Sequence, residues 1–175
     1  MSVILSPVDW LARLPGSNGQ RFVVVFEHGT LSVELYAPRG TDPQQPHARD
    51  EAYVVVSGSG TFVQGSLRRA FDSGEFLHVA AGVEHRFENF TGDLVVWVIF
   101  YDGSMEAKIS TPQGDNIQEP HARDEIYVCI RGRGTLVHGA RRDAFEAGDL
   151  MFVERGLAHH FEDCSDLAVR VFFFS

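Results

Sequence analysis

The sequence predicts an all-β protein: two tandem barrels behind a short N-terminal helix. Three observations carry this. Short runs rich in Val, Phe, Ile and Tyr recur along the chain, glycine-bearing turns separate them, and one half of the chain superimposes on the other. Many short strands with regular turn signals belong to sandwiches or closed barrels.

The helix comes first, over about residues 6–14. Ser6 can cap it, Pro7 takes the first helical position and Asp9 falls in the first turn, while Trp10, Leu11 and Leu14 give it a packing face. Pro15 and Gly16 end it. Strands follow at Phe22–Phe26, Leu31–Tyr36, Ala52–Val56 and Val95–Tyr101. Turns fall at His28-Gly29, Ser57–Gly60, Asp72–Gly74 and Ala147–Asp149.

A shift of 74 residues aligns Pro46-His47-Ala48-Arg49-Asp50-Glu51 with Pro120-His121-Ala122-Arg123-Asp124-Glu125, letter for letter. Without a gap the match continues through Tyr53/Tyr127, Gly58/Gly132, Gly74/Gly148, Gly82/Gly156, His85/His159 and Phe87-Glu88/Phe161-Glu162. Residues 22–101 against 96–175 give 30 identities in 80 pairs, where unrelated sequences would give roughly 5. Two copies are too few for a solenoid. The expected units are 1–101, with the leading helix, and 102–175. Val96–Tyr101 aligns both with Phe22–Glu27 and with Arg170–Ser175, so the strand at about 95–101 is expected to be shared. No Pro/Gly/Ser-rich linker separates the halves.

Composition narrows the function. The 175 residues carry 15 Lys and Arg against 24 Asp and Glu, a net charge of −9, which argues against a nucleic-acid partner held through phosphates. The longest apolar run, Leu94–Tyr101, is far short of the ~20 residues that span a bilayer, so no membrane partner is expected. The chain opens on no secretory pattern, which points to a cytoplasmic setting, and its two cysteines make no disulfide framework. Phe172–Phe174 is apolar on both strand faces and needs cover from the other barrel or from a second chain, so a homodimer is one expected assembly.

The repeat also sorts the polar residues. Of eight histidines, His47/His121 and His85/His159 are paired, whereas His28, His78, His138 and His160 face Asp102, Phe152, Gln64 and Arg86. Glu51/Glu125 is paired too. The recurring trio is His-x3-Glu with a second His 34 residues after the Glu. Two imidazoles and a carboxylate suit one face of a divalent ion's coordination sphere, leaving positions for a ligand. In extended chain the even offset points His and Glu the same way, and a barrel interior brings the second His to them. The competing reading makes them hydrogen-bonded stabilisers of each barrel. Metal is preferred, because buried His and Glu without partners are costly. Arg49 and Arg123 are read as salt-bridged to Asp50 and Asp124. Tyr53 and Tyr127, two residues after the Glu, and Phe87 and Phe161, two after the second His, should point inward and line a substrate pocket. Cys129 is a small buried residue, and His160 an exposed strand residue.

These residues resemble the cupins. The first cupin motif, a His cluster followed by Glu and then Gly seven residues on, is matched at His47, Glu51 and Gly58 and again at His121, Glu125 and Gly132. The second is matched at Gly74, Gly82, His85 and Asn89, and at Gly148, Gly156 and His159. The resemblance implies two cupin double-stranded β-helix (jelly-roll) barrels, each holding one divalent metal ion (Fe, Mn, Ni or Zn). At the family's first His stand Gln45 and Glu119, candidate fourth ligands. Glu119 would steer the second barrel towards harder ions such as Mn(II) or Fe(II). Ala80 and Glu154 replace the motif's Pro, and Asp163 its final Asn. Cupins include dioxygenases, isomerases, epimerases, decarboxylases and non-catalytic binding domains, so fold does not settle reaction. The resemblance favours a metalloenzyme acting on a small organic molecule, with dioxygenase-type chemistry first. The alternative is a non-catalytic module that binds a small metabolite or metal.

Overall fold

The computed structural model describes residues 1–113, 116–117 and 120–175, with the backbone alone at 116–117. By their contacts these residues fall into two units, Val8–Asp102 and Met1–Pro7 with Gly103–Ser175. All described elements but one are strands, and each unit is a jelly-roll barrel. The exception is α1 (Pro7–Leu11), shorter than the sequence suggested. Beyond it the chain continues as single turns, with Arg13 N–H bonded to Trp10 O and Leu14 N–H to Leu11 O, both at 3.0 Å. These i→i+3 bonds are a tightened helix end. No helix is long and apolar enough to cross a membrane among the described residues.

The first strand, β1 (Ser2–Leu5), pairs antiparallel with Leu150–Val153, so the first seven residues belong with the unit that resumes at Gly103.

In Val8–Asp102 the strands are β2 (Phe22–His28), β3 (Leu31–Tyr36), β4 (Asp50–Ser57), β5 (Gly60–Gln64), β6 (Leu67–Phe71), β7 (Phe76–Val79), β8 (His85–Glu88) and β9 (Val95–Tyr101). They form a five-stranded sheet ordered β2-β3-β9-β4-β7 and a three-stranded sheet ordered β6-β5-β8. Tyr53, Phe62, Phe71, Phe87 and Leu94 are all buried in the core of this unit. Alternation puts Val33 and Leu35 on one face of β3 and Ser32, Glu34 and Tyr36 on the other.

The other unit contains β10 (Met105–Ser110), β11 (Asn116–Ile117), β12 (Asp124–His138), β13 (Arg141–Glu146), β14 (Leu150–Val153) and β15 (His160–Phe174). Its path is β1-β14-β12-β15-β10, with β13 on β12 and β11 on β15. Here β12 and β15 each run for 15 residues, doing in one bent strand what β4 with β5, and β8 with β9, do in two. Register shifts between Cys129 and Thr135 mark the bend.

The gapless repeat register fails in its last strand. Phe100 lies opposite Glu51, but Phe173, not Phe174, lies opposite Glu125. The first copy has one residue more in the loop around Gly92. Beyond it Asp93-Leu94 matches Asp166-Leu167, and Val96, Val98 and Phe100 match Val169, Val171 and Phe173.

Two repeated glycines have a steric cause. At Gly58, φ is 89° and a Cβ would stand 2.7 Å from Leu94 Cα; at Gly132, φ is 81° and a Cβ would stand 2.4 Å from Asp166 O. Left-handed backbone and close approach together admit glycine there. Asn89 and Asp163 have φ of 49° and 53°. Both residue types tolerate that region, so the Asn-to-Asp departure is conformationally silent.

Candidate metal centres

In the unit Val8–Asp102, Glu51 is the second residue of β4 and His85 the first of β8, both buried. His47 is not on a strand but in the segment leading into β4. Two clamps hold that segment against the turn before β8. Gly82 N–H bonds to His47 O at 2.7 Å, and Ala81 N–H bonds to Asp50 Oδ1 at 2.8 Å. The ligand atoms of His47, Glu51 and His85 then lie within 4.8 Å of one another.

Each donor atom is aimed. His47 Nδ1–H donates to Glu51 Oε1 at 2.6 Å. His85 Nδ1 lies 2.9 Å from Val83 O. A carbonyl can only accept, so Nδ1 carries the proton and Nε2 faces the centre, the orientation that second partners impose on metal-binding imidazoles. The Tyr53 hydroxyl donates to Glu51 Oε2, and stands 2.9 Å from His85 Nε2 and 2.8 Å from Gln44 Oε1.

The other unit repeats this. The ligand atoms of His121, Glu125 and His159 again lie within 4.8 Å of one another. His159 Nδ1 is 2.9 Å from Leu157 O, and the Tyr127 hydroxyl donates to Glu125 Oε2 and stands 2.9 Å from His159 Nε2. The clamps recur as Gly156 N–H to His121 O at 2.8 Å and Arg155 N–H to Asp124 Oδ1 at 2.9 Å. His121 Nδ1 lies against Glu125 Oε1, yet it is buried with no aligned hydrogen bond. A buried ring nitrogen in that position, beside a second imidazole and a carboxylate, fits a divalent cation's donor set.

Burial pushes the Glu51 and Glu125 carboxyls up, but His85 with Tyr53, and His159 with Tyr127, outweigh it and hold both below the ordinary value. Burial pushes the His85 and His159 imidazoles down; the facing glutamate and the carbonyls of Val83 and Leu157 outweigh that and raise both. The raised imidazole and the lowered carboxyl both favour a proton on Nε2 facing the carboxylate, and a cation would have to displace any proton held there.

A cavity of about 220 Å³ opens beside the first trio, walled by Glu34, Tyr36, Gln44, His47 and Phe100 among others. One of about 300 Å³ beside the second is walled by Lys108, Ser110, Tyr127, Phe161 and Phe173 among others. Both Tyr–Phe pairs pack edge to face in their cores, Tyr53 with Phe87 at 5.6 Å and Tyr127 with Phe161 at 5.1 Å between centroids; Tyr127 and Phe161 also border the cavity beside them. Gln45 is not brought to the trio. It is exposed, and its amide donates to Gln44 O at 3.1 Å. Its neighbour Gln44 reaches Tyr53 instead, held by Asp42 at 2.9 Å, and Asp42 also accepts from Tyr36 at 2.5 Å. Glu119 lies outside the described residues.

The arginines pair, but not with their sequence neighbours. Arg49 lies 3.6 Å from Asp102 and Arg123 donates to Glu106 at 2.7 Å, because Asp50 and Asp124 are committed to the loop clamps. Cys129 is buried and its thiol is pushed up to about 12 by that burial, which makes it inert. His160 is partly buried and pairs with Glu162 at 2.8 Å. Sequence reasoning missed Glu34 and Gln44. Glu34 sits inside the first cavity wall, and its carboxyl is raised to about 7 by burial and by the charge of Glu51.

The family model described as "Cupin domain" matches residues 32–101 and again 109–175. An uncharacterized protein of Streptomyces coelicolor is 36% identical over 95 residues, 53% of this chain and 90% of that protein. Among solved structures, the protein Ylba of E. coli is similar with a TM-score of 0.77 and 13% identity, covering 99% of this chain and 90% of that one. A salicylate 1,2-dioxygenase from Pseudaminobacter salicylatoxidans is similar with a TM-score of 0.78 and 12% identity, covering 99% and 84%. At such identities the likeness is one of fold.

Proposed function

This chain belongs to the cupin domain family, and we propose that it is a metalloenzyme acting on a small organic molecule, with one divalent ion in each unit and dioxygenase-type chemistry first among reactions. One observation carries the reading. The same trio, with the far nitrogen of its second imidazole tied to the carbonyl two residues back, is built twice, at His47–Glu51–His85 and at His121–Glu125–His159. A backbone carbonyl on Nδ1 is the second partner that metal-binding imidazoles commonly have, and it leaves Nε2 turned towards the other donors. The likeness in fold to a salicylate 1,2-dioxygenase supports the choice of reaction.

An ion of the Fe, Mn, Ni or Zn kind would supply Lewis acidity at open positions and, where redox-active, electrons for dioxygen. The chain's own residues do the rest. His47, Glu51 and His85 would hold the ion, while Tyr53 keeps the carboxylate oriented by donating to Glu51 Oε2. The Phe100 ring packs edge-on to His47 with centroids 5.0 Å apart and gives the cavity beside the centre an apolar wall. Phe173 does the same at 5.2 Å from His121. The proposal keeps the chain in the cytoplasm, with a small-molecule ligand and no nucleic-acid or membrane partner, in keeping with its net charge of −9.

The exposed Gln45 favours the second reading, a binding module without turnover, since it leaves the first centre with three protein donors. Anaerobic loading with Fe(II), followed by oxygen-uptake screening on catechols, thiols and diketones, separates the two. Substrate-dependent uptake that disappears in His85→Ala and His159→Ala together is the expected result. Loaded protein that binds such molecules without consuming oxygen would move the assignment to the binding module.

A further inference from the structure

The two cavities differ at one wall position in the sign of its charge. Glu34 on β3 lies opposite Val98, and Lys108 on β10 lies opposite Val171, the same register position in the two units. Both line the cavity beside their trio. Among the described residues the Glu34 side chain has no hydrogen bond or ion pair, and it lines the cavity. Lys108 stands with Nζ 4.9 Å over the Phe173 ring, the ring that abuts His121. The Arg123 guanidinium also lies over that ring, at 4.7 Å. Among the described residues the two cations share a single carboxylate, Glu106, at 2.8 and 2.7 Å, one negative charge for two positive ones. In the first unit the residue equivalent to Glu106 is Ser32, and Arg49 is turned away to Phe100 O and Asp102. Tyr36 narrows the first cavity where Ser110 stands in the second.

We propose that the pocket beside His121, Glu125 and His159 takes a small organic anion, its carboxylate met by Lys108 and Arg123, and that Glu34 bars the same anion from the other pocket. The assignment rests on the small-molecule reading above and adds the ligand's charge class and its address. A carboxylate entering the second pocket gains charge-assisted hydrogen bonds from an ammonium and a guanidinium whose approach is already set by Phe173. At a pH above about 7, where Glu34 carries its charge, a carboxylate entering the first pocket meets it in a partly buried, low-dielectric wall, where like charges repel strongly. One duplicated barrel would then serve two ligand classes, discriminated by repulsion as much as by attraction.

The test uses benzoate as probe, titrated calorimetrically at pH 8, above the Glu34 value, into the full chain, metal-free and Co(II)-loaded. Removing a charged hydrogen-bond partner should cost about tenfold or more in affinity. Lys108→Gln should therefore weaken benzoate by that factor, and Lys108→Arg should restore most of it. In Co(II)-loaded single-centre variants, the cobalt absorption bands of His85→Ala, which keeps the second centre, should respond to benzoate. Those of His159→Ala should respond only when Glu34→Gln is added. Benzoate binding that ignores Lys108→Gln, equal responses from the two centres, or no binding in either metal state would overturn the proposal. Failure to take up Co(II) would instead sink the metal reading, and the metal-free titration of Lys108→Gln would still decide this one.

Discussion

The Tyr53 hydroxyl stands 2.9 Å from His85 Nε2 while donating to Glu51 Oε2, so one phenol touches both the imidazole and the carboxylate of a candidate metal centre. Tyr127 holds the same relation to His159 and Glu125. The tyrosine is fully buried and its own proton is held tightly, its pKa pushed well above the ordinary phenol value by burial and by the Glu51 charge. It is a fixed donor that orients the carboxylate.

Tyr53→Phe should therefore damage the centre more than the fold. Leaving Glu51 Oε2 without its donor costs about 1–3 kcal/mol in the metal-free chain. Losing an outer hydrogen bond to a ligating carboxylate typically lowers metal affinity by about 10–100-fold. Competition with a chromophoric chelator reads the affinity. An unchanged metal Kd in Tyr53→Phe and Tyr127→Phe would remove these residues from the metal's support.

The centres also set a pH dependence. His85 and His159 bind their proton more tightly folded than unfolded, so their stabilisation is complete below the unfolded imidazole pKa of about 6.5 and is lost as pH rises through the folded value. Glu51 and Glu125 bind theirs less tightly folded, so their stabilisation is present above about 4.3 and is lost as pH falls through the folded value. For these four groups the metal-free chain is most stable between those limits. A cation needs the bare Nε2, so the rise in Tm on adding Zn(II) should grow from pH 5.5 to pH 8. A Zn(II)-induced rise that is flat over that range would contradict proton displacement.

Gly58→Ala and Gly132→Ala should be far costlier than Gly82→Ala. All three sit at positive φ, worth about 1–3 kcal/mol for a residue with a Cβ. At Gly58 and Gly132 the Cβ also meets backbone at 2.7 and 2.4 Å, whereas at Gly82 it meets nothing within 4 Å. Each extra kcal/mol lowers Tm by roughly 2–4 °C in a chain of this length. Equal melting temperatures for Gly58→Ala and Gly82→Ala would show that the close approach is not limiting.

Much of this was legible in the sequence, for a physical reason. Duplication made His47/His121, Glu51/Glu125 and His85/His159 stand out, and barrel geometry needs little more than parity and a turn glycine to bring them together. What stayed hidden turns on single-residue placement. Gln45 and Gln44 are adjacent, and only the course of the segment before β4, with Asp42 holding Gln44, decides which amide reaches Tyr53. Glu34 lies on the polar side of an alternating strand, a pattern that ordinarily marks the wet face, and here that face walls a cavity. Asp50 and Asp124 look like natural partners for the arginines beside them, but each turns Oδ1 to a backbone N–H of the turn before the second His, and the arginines reach Asp102 and Glu106. The loop around Gly92 absorbs one residue without disturbing either flanking strand, so a gapless alignment passes over it.

The central claim is that each trio holds a divalent ion, and metal content by plasma mass spectrometry tests it most directly. The chain is purified without chelator or nickel affinity, then exposed to Fe(II), Mn(II), Ni(II) or Zn(II) and desalted. Two equivalents per chain are predicted for the wild type, one for His85→Ala, one for His159→Ala and none for the double variant. Fewer than about 0.2 equivalents with every ion, or the same content in the double variant as in the wild type, would contradict it.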